Sequence, residues 1–117
     1  MLFNKTKKKK IISRVKIADS FLKRFRGLMF SGKKDFAHAL VFVLEKESRF
    51  EASIHMMFVF FPIDVLWLDG KRRVVDKREF LRPFALNATP KKPAAFIIEL
   101  PAGKANGTSI GDELAWN

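Results

Sequence analysis

The longest apolar stretch covers residues 54–68, and within it only His55 and Asp64 are polar. Strands usually run about 3–10 residues, so this stretch is too long for one straight strand. Pro62 has no N–H to give to a ladder and marks an edge, a bulge or a break. The pattern therefore predicts one strand over residues 53–60, a kink at Phe61-Pro62, and a second strand over residues 63–68. The first piece is apolar on both faces, as expected of a strand buried on both sides of a packed layer. On the second, Val65 and Trp67 share one face, and Asp64 shares the other with Leu66 and Leu68.

The remaining elements follow from the same periodicities. Residues 11–17 end in a period-two alternation, which predicts a half-buried strand. Asp19 or Ser20 caps a short helix with Phe21, Leu22 and Phe25 on one face, Lys23, Arg24 and Arg26 on the other, and Gly27 at its end. Residues 37–44 form a continuous apolar run of strand length, followed by a polar turn over 45–49. Asp69-Gly70 signals a hairpin whose returning strand covers 72–76. Residues 79–86 read as a further extended piece broken by Pro83. Residues 94–100 are a strand that stops at Pro101, 103–109 offer one helical turn, and 113–116 are a last strand. Short strands at such regular spacing predict a mainly β fold. The expected form is a compact antiparallel β-sandwich or barrel with one short amphipathic helix near the N-terminus. Residues 1–117 read as a single domain, with residues 1–10 a basic, frayed start.

Composition adds a core chemistry. Thirteen Phe and no Tyr make a core that needs no hydroxyl partners. The absence of Cys excludes disulfides and thiolate metal sites, and only His38 and His55 offer imidazole. Their spacing suggests no metal, and no cofactor is expected. Seven of the 23 cations sit in residues 1–18, which hold no acid, so the net charge of +11 is concentrated at the start. That favours loose contact with nucleic acid or anionic lipid without defining a site. The Lys run leads into Ile11-Ile12-Ser13-Arg14, which is no signal-peptide core, and a span takes about 20 apolar residues. The expectation is a soluble, cytoplasmic protein.

Neither a phosphate-binding loop nor a nucleophile elbow occurs. His55 and Asp64 are the candidates for chemistry, because each is a lone polar residue in an apolar strand. Buried carboxylates are paired or hydrogen-bonded, and Arg24, Arg26, Arg72 and Arg73 are available to Asp64. Asp69 and Asp112 read as turn residues. Three functions remain open. The first is a non-catalytic protein that binds a small ligand or a protein partner, with Arg24, Arg26, His55 and Asp64 as the binding candidates. The second is an enzyme using His55 with Asp64 or Asp69. The third is weak nucleic-acid binding through Lys5, Lys7, Lys8, Lys9 and Lys10 and the basic helix face. Base-stacking platforms need exposed aromatics among Lys or Arg, whereas most Phe here have apolar neighbours.

Five ordered blocks carry a family resemblance. They are Ala18-Asp19 with Arg24-Phe25-Arg26-Gly27-Leu28-Met29-Phe30, then Ala39-Leu40-Val41-Phe42-Val43, then His55-Met56 with residues 61–69, then Ile98-Glu99-Leu100-Pro101-Ala102-Gly103, and Ile110-Gly111-Asp112. Together they resemble the domain of unknown function 192 family, also known as uncharacterised protein family 0127, in its archaeal form. Many members carry Lys-Asn-Thr before the Pro block, where this chain has Met57-Phe58-Val59. The resemblance implies a compact, mainly β, barrel- or sandwich-like fold and no particular activity.

Overall fold

The computed structural model describes residues 1–18, 33–49, 52–53, 59–85 and 88–117. Eight strands occur among them: β1 (Leu2–Asn4), β2 (Lys9–Ile12), β3 (Val15–Ala18), β4 (Ala39–Ser48), β5 (Ile63–Leu68), β6 (Val74–Leu81), β7 (Ala94–Pro101) and β8 (Leu114–Trp116). They build a three-stranded sheet, β2-β1-β8, and a five-stranded sheet, β3-β4-β7-β5-β6. The fold is mainly β, as expected. The two sheets meet at an Arg73–Glu113 bridge and where β2 runs on into β3. The described strands do not close into a barrel.

The large sheet is buried on both faces. Leu66, Leu68, Ile98, Leu100 and Val41 pack toward Leu2, Ile12 and Leu114 of the small sheet. On the outer face, Leu40, Phe42, Val65, Trp67 and Ile97 pack with Phe36, Ala52, Val59, Phe61 and Ala88. All six residues of β5 are buried, which explains its near-continuous apolar sequence. Trp67, fully buried, donates its indole N–H to the Ala52 carbonyl at 2.7 Å. The burial of such side chains contributes about 25 cal/mol per Å² of apolar surface.

Several expectations need correction. The sheet is not purely antiparallel, because β3 pairs with β4 in parallel. A parallel pair needs a long crossover, and residues 19–38 provide it. No α-helix occurs among the described residues, where the only helical piece is a 3-10 turn at Lys33–Asp35, so the expected amphipathic helix is not borne out. Its span of 19–27 lies outside the described residues. The expected strand over 53–60 falls largely on residues 54–58, also outside them, while Ser53, Val59 and Phe60 are not in a strand. Residues 1–10 are no frayed start. Leu2 and Asn4 are buried, and β1 pairs with both β2 and β8. Residues 11–17 split between two strands in different sheets. The split follows from Arg14, whose carbonyl accepts the Ala39 N–H at 2.8 Å in the large sheet.

The polar residues 45–48 continue β4 instead of turning, with Ser48 opposite Ala94 and a Glu47 carboxylate oxygen accepting the Gly70 N–H. The Asp69-Gly70 hairpin is present, but its loop is longer than two residues. The Arg72 N–H bonds the Asp69 carbonyl, Arg72 takes φ 63°, and Asp69 Oδ1 accepts the Lys71 and Arg73 N–H groups. This is a turn followed by one left-handed residue, a common hairpin closure. The Arg72 guanidinium lies 3.9 Å from the Trp116 ring centroid, a cation–π contact that helps hold that backbone.

Asp64 is fully buried, and both of its carboxylate oxygens are used. Oδ1 accepts the Phe80 N–H at 2.9 Å, and Oδ2 accepts the Gly103 and Ala105 N–H groups at 2.9 Å each. Opposite it the ladder slips: Ile63 pairs with Leu81 but Val65 pairs with Arg78. The extra residue makes a bulge, and Phe80 sits in it at φ 55°. Gly103, at φ 95°, opens the turn that delivers the other two N–H groups.

Asp64→Ala leaves three N–H groups without their acceptor, at about 1–3 kcal/mol each where buried. A loss of at least about 3 kcal/mol is expected in urea unfolding followed by Trp fluorescence. A midpoint equal to wild type would show that the three bonds carry no stability. Asp112 supplies a pH test. Burial raises its pKa, but hydrogen bonds from Lys7, Asn4 and the Ser109 N–H outweigh this and lower it from 3.8 to about 2. Its contribution is therefore present above pH 3.8 and lost as pH falls through about 2. Asp112→Asn should flatten acid unfolding across that window, and an unchanged acid profile would contradict the assignment.

Candidate functional site

The buried polar side chains among the described residues are Asn4, His38, Asp64, Asp76, Glu99, Thr108 and Asp112. Most have visible structural work. Asn4 donates to Asp112 at 2.9 Å and to Thr108 at 3.4 Å, and accepts the Lys7 N–H. Asp112 also takes the Lys7 ammonium at 2.8 Å and the Ser109 N–H. Asp76 accepts the Lys77 and Lys91 N–H groups. Asp64 holds its three amides. Glu99 and His38 are the two whose side chains are not bonded to a described residue, although no fully buried side-chain nitrogen or oxygen is without a hydrogen-bond partner.

Both belong to one face of the large sheet. Glu99 on β7 stands opposite Leu40 on one side and Val65 on the other. Those two residues, with Ile97 two positions back, lie in the outer-face cluster with Phe36, Phe61 and Ile63. Glu99 therefore projects to that face, and it is 6% exposed. His38, 8% exposed, immediately precedes β4 and meets the Phe36 ring edge-to-face at 5.1 Å between centroids. Phe36 in turn lies 5.7 Å from Phe61. The result is a buried, Phe-rich layer that also holds a carboxyl group and an imidazole.

The electrostatics are set by burial. Desolvation pushes the Glu99 pKa up from 4.5 to about 8. Desolvation lowers that of His38, and the charges of Lys16 and Arg14 on and beside β3 lower it further. At neutral pH Glu99 is mainly a neutral acid that can donate a hydrogen bond, and His38 is mainly a neutral imidazole.

Of the residues singled out from the sequence, Asp64 lies on the opposite face of the sheet from Glu99, with its oxygens committed to backbone N–H groups. Asp69 holds the hairpin loop. Arg24, Arg26 and His55 lie outside the described residues. Glu99 is not among them, although in the sequence it resembles Asp64: a lone acid in a strand with both faces apolar. His38 stands likewise at the head of an apolar run. Among the described residues no group of three His, Asp or Glu could hold a metal ion, and no helix is long and apolar enough to cross a membrane.

The sequence profile of DUF192, described as an uncharacterized ACR, matches residues 2–116. The chain belongs to the DUF192 family. Its relatives include a UPF0127 protein of Thermococcus kodakarensis, 50% identical over 99% of this chain and 73% of that protein. Another, from Pyrococcus furiosus, is 42% identical over 99% of this chain and 97% of its own length. The family placement and the archaeal form agree with the resemblance read from the five blocks. Two crystal structures share the fold. One is a protein of unknown function from Novosphingobium aromaticivorans, with TM-score 0.78 and 21% identity over 87% of this chain and 74% of that one. The other is a proposed transcription regulator from Sinorhizobium meliloti, with TM-score 0.78 and 24% identity over 86% of this chain and 79% of that one. DUF192 is uncharacterised, so the arrangement around Glu99 has to be judged on its own chemistry.

The raised pKa of Glu99 makes a signed prediction. Between pH 4.5 and about 8 the unfolded chain has released this proton and the folded chain still holds it. The Glu99 contribution is thus fully present below 4.5 and is lost as pH rises through about 8. Denaturant unfolding across this range should show wild-type stability falling relative to Glu99→Gln, with the variant the more stable at the alkaline end. Parallel pH profiles would mean that Glu99 titrates normally.

Proposed function

We propose that the protein is a non-catalytic binding protein that takes a small ligand on the outer face of the large sheet, at Glu99 and His38. The observation that carries this reading is Glu99, a carboxyl group 6% exposed among apolar neighbours. A single polar group set in apolar surroundings orients a ligand and gives specificity that apolar contact alone does not supply. Phe36 and Phe61 supply the apolar surface that ligand sites usually combine with a few polar groups.

The basic start supports the nucleic-acid alternative less well than its sequence suggests. Lys5 pairs with Glu113 at 3.0 Å and Lys7 with Asp112 at 2.8 Å, so two of its five lysines hold the N-terminal hairpin to the chain's end.

Ligand binding is tested by titrating a small-fragment library into ¹⁵N-labelled protein and following amide shifts. Hits should converge on Leu40, Val65, Ile97 and Phe36, and Glu99→Leu with His38→Leu should remove them while the rest of the spectrum stays folded. Hits that cluster elsewhere, or that survive both substitutions, would move the site away from this face.

A further inference from the structure

We infer that the end of the large sheet where β5 begins and β6 ends binds single-stranded nucleic acid, with Phe60, Phe80 and Phe84 stacking on bases and Arg78, Arg82 and Lys104 facing phosphates. Glu99 and His38, both buried, take no part in this surface.

The first argument is exposure. Phe60, Phe80 and Phe84 are 59%, 63% and 48% exposed, whereas every other described Phe is buried or half-buried. Phe60 meets Phe84 edge-to-face at 5.3 Å between centroids. Leu81 pairs with Ile63 in the β5–β6 ladder, which sets all three rings at one end of that hairpin. Grouped apolar surface left in water marks a place of contact with a partner.

The second argument is backbone strain. Phe80 has φ 55° and Phe84 has φ 61°. Residues 82–85 form a turn closed by the Ala85 N–H on the Arg82 carbonyl at 3.3 Å. Pro83 holds its second position and Phe84 its third, where a positive φ ordinarily calls for glycine. The Asp64 bond accounts for the backbone at residue 80, but glycine would follow both bends without strain. Two bulky residues on left-handed backbone, each with its ring toward solvent, fit the concentration of such strain at binding sites.

The third argument is charge. Arg78, Arg82 and Lys104 are exposed, and no ion pair of theirs occurs among the described residues. Lys104 lies between Gly103 and Ala105, whose N–H groups meet the same carboxylate as the Phe80 N–H. The acids here are already engaged: Asp64 is buried in its amide cradle, and Glu79 pairs with Lys77 at 3.7 Å. From residue 80 to residue 84 the exposed side chains run Phe, Arg, Phe around a buried Leu81. That interleaving of rings and cations is what a single strand meets with its bases and phosphates. Duplex bases are stacked on one another and offer such rings no open face. Membrane docking uses one continuous apolar face, and here Arg82 divides it. A second copy of the chain brings the same net charge of +11 and is repelled.

Fluorescence anisotropy of a labelled oligothymidine of about 15 nucleotides tests the surface, beside a duplex of equal length and vesicles of phosphatidylserine and phosphatidylcholine. The single strand should bind more tightly than the duplex, and its affinity should fall between about 50 and about 200 mM salt. Phe80→Gly and Phe84→Gly should each weaken binding at least about fivefold with the thermal midpoint close to wild type, because glycine suits the left-handed backbone. Arg82→Gln should lower the slope of log affinity against log salt by about 0.7. Lys8→Gln combined with Lys9→Gln, on the N-terminal hairpin, should leave the preference for the single strand in place. Equal affinity for the duplex, or binding that is lost with Lys8 and Lys9 but not with the Phe residues, would reduce the contact to general electrostatics and overturn the assignment. Vesicle binding that depends on the Phe residues, without oligonucleotide binding, would give the surface to lipid instead. Failure of the oligonucleotide to bind at the lower salt would refute it outright.

Discussion

Three backbone N–H groups from two separate segments converge on the Asp64 carboxylate. One belongs to the bulge in β6 and two to the turn after β7, while Asp64 itself lies on β5 between those strands. The carboxylate thus ties three neighbouring strands at one end of the large sheet. It also explains the backbone at Phe80. A bulky residue at φ 55° costs on the order of 1–3 kcal/mol and persists only where its surroundings enforce it. The charge-assisted bond from the Phe80 N–H, roughly twice as strong as a neutral one, provides that enforcement. Phe80 is left 63% exposed, a consequence of fixing its backbone and not of any packing demand on its ring.

The two faces of the large sheet then divide in character. The inner face, against β1, β2 and β8, is apolar apart from groups whose bonds are complete: Asp64 in its amide cradle, and Asn4, Thr108 and Asp112 in one network. The outer face is equally apolar and carries Glu99, His38 and Asp76, which stands opposite Trp67 and accepts the Lys77 and Lys91 N–H groups. Completed polar groups fix one arrangement of a core. The faces differ in that Glu99 and His38 have apolar and aromatic side chains as their described neighbours, which is the ground for looking to the outer one for binding.

The strands with the strongest patterns were legible in the sequence. Residues 63–68 and 94–100 match β5 and β7 to within one residue, because burial on both faces leaves a continuous apolar run ended by Pro or a turn. The alternation of Val65 and Trp67 against Asp64, Leu66 and Leu68 also reads true, since period two is fixed by the pleat. Three features were not legible. The parallel pairing of β3 with β4 depends on where a crossover returns, which local periodicity does not encode. The polar end of β4 looks like a turn because its bonds to Ala94 and Gly70 come from distant residues. The basic start looks frayed because the burial of Leu2 and Asn4 is supplied by the other end of the chain. Of the candidate site, Glu99 was readable in principle as a lone acid in an apolar strand, but the depth of its burial is a tertiary fact.

Register joins the two halves of this picture. In the β5–β7 ladder Asp64 stands opposite Leu100 and Val65 opposite Glu99. Successive residues of a strand point to opposite faces, so a slip of one residue would carry Glu99 into the inner core and Leu100 out of it. Bonds from Asp64 to Gly103 and Ala105, just beyond β7, oppose that slip, because they fix the end of β7 against β5. Two of the blocks that mark the family, the Pro-Ile-Asp block and the Glu-Leu-Pro-Ala-Gly block, are therefore one physical unit. A carboxylate on the inner face, fully bonded, sets the register. That register holds a second carboxyl group, Glu99, on the outer face among Leu40, Val65 and Ile97.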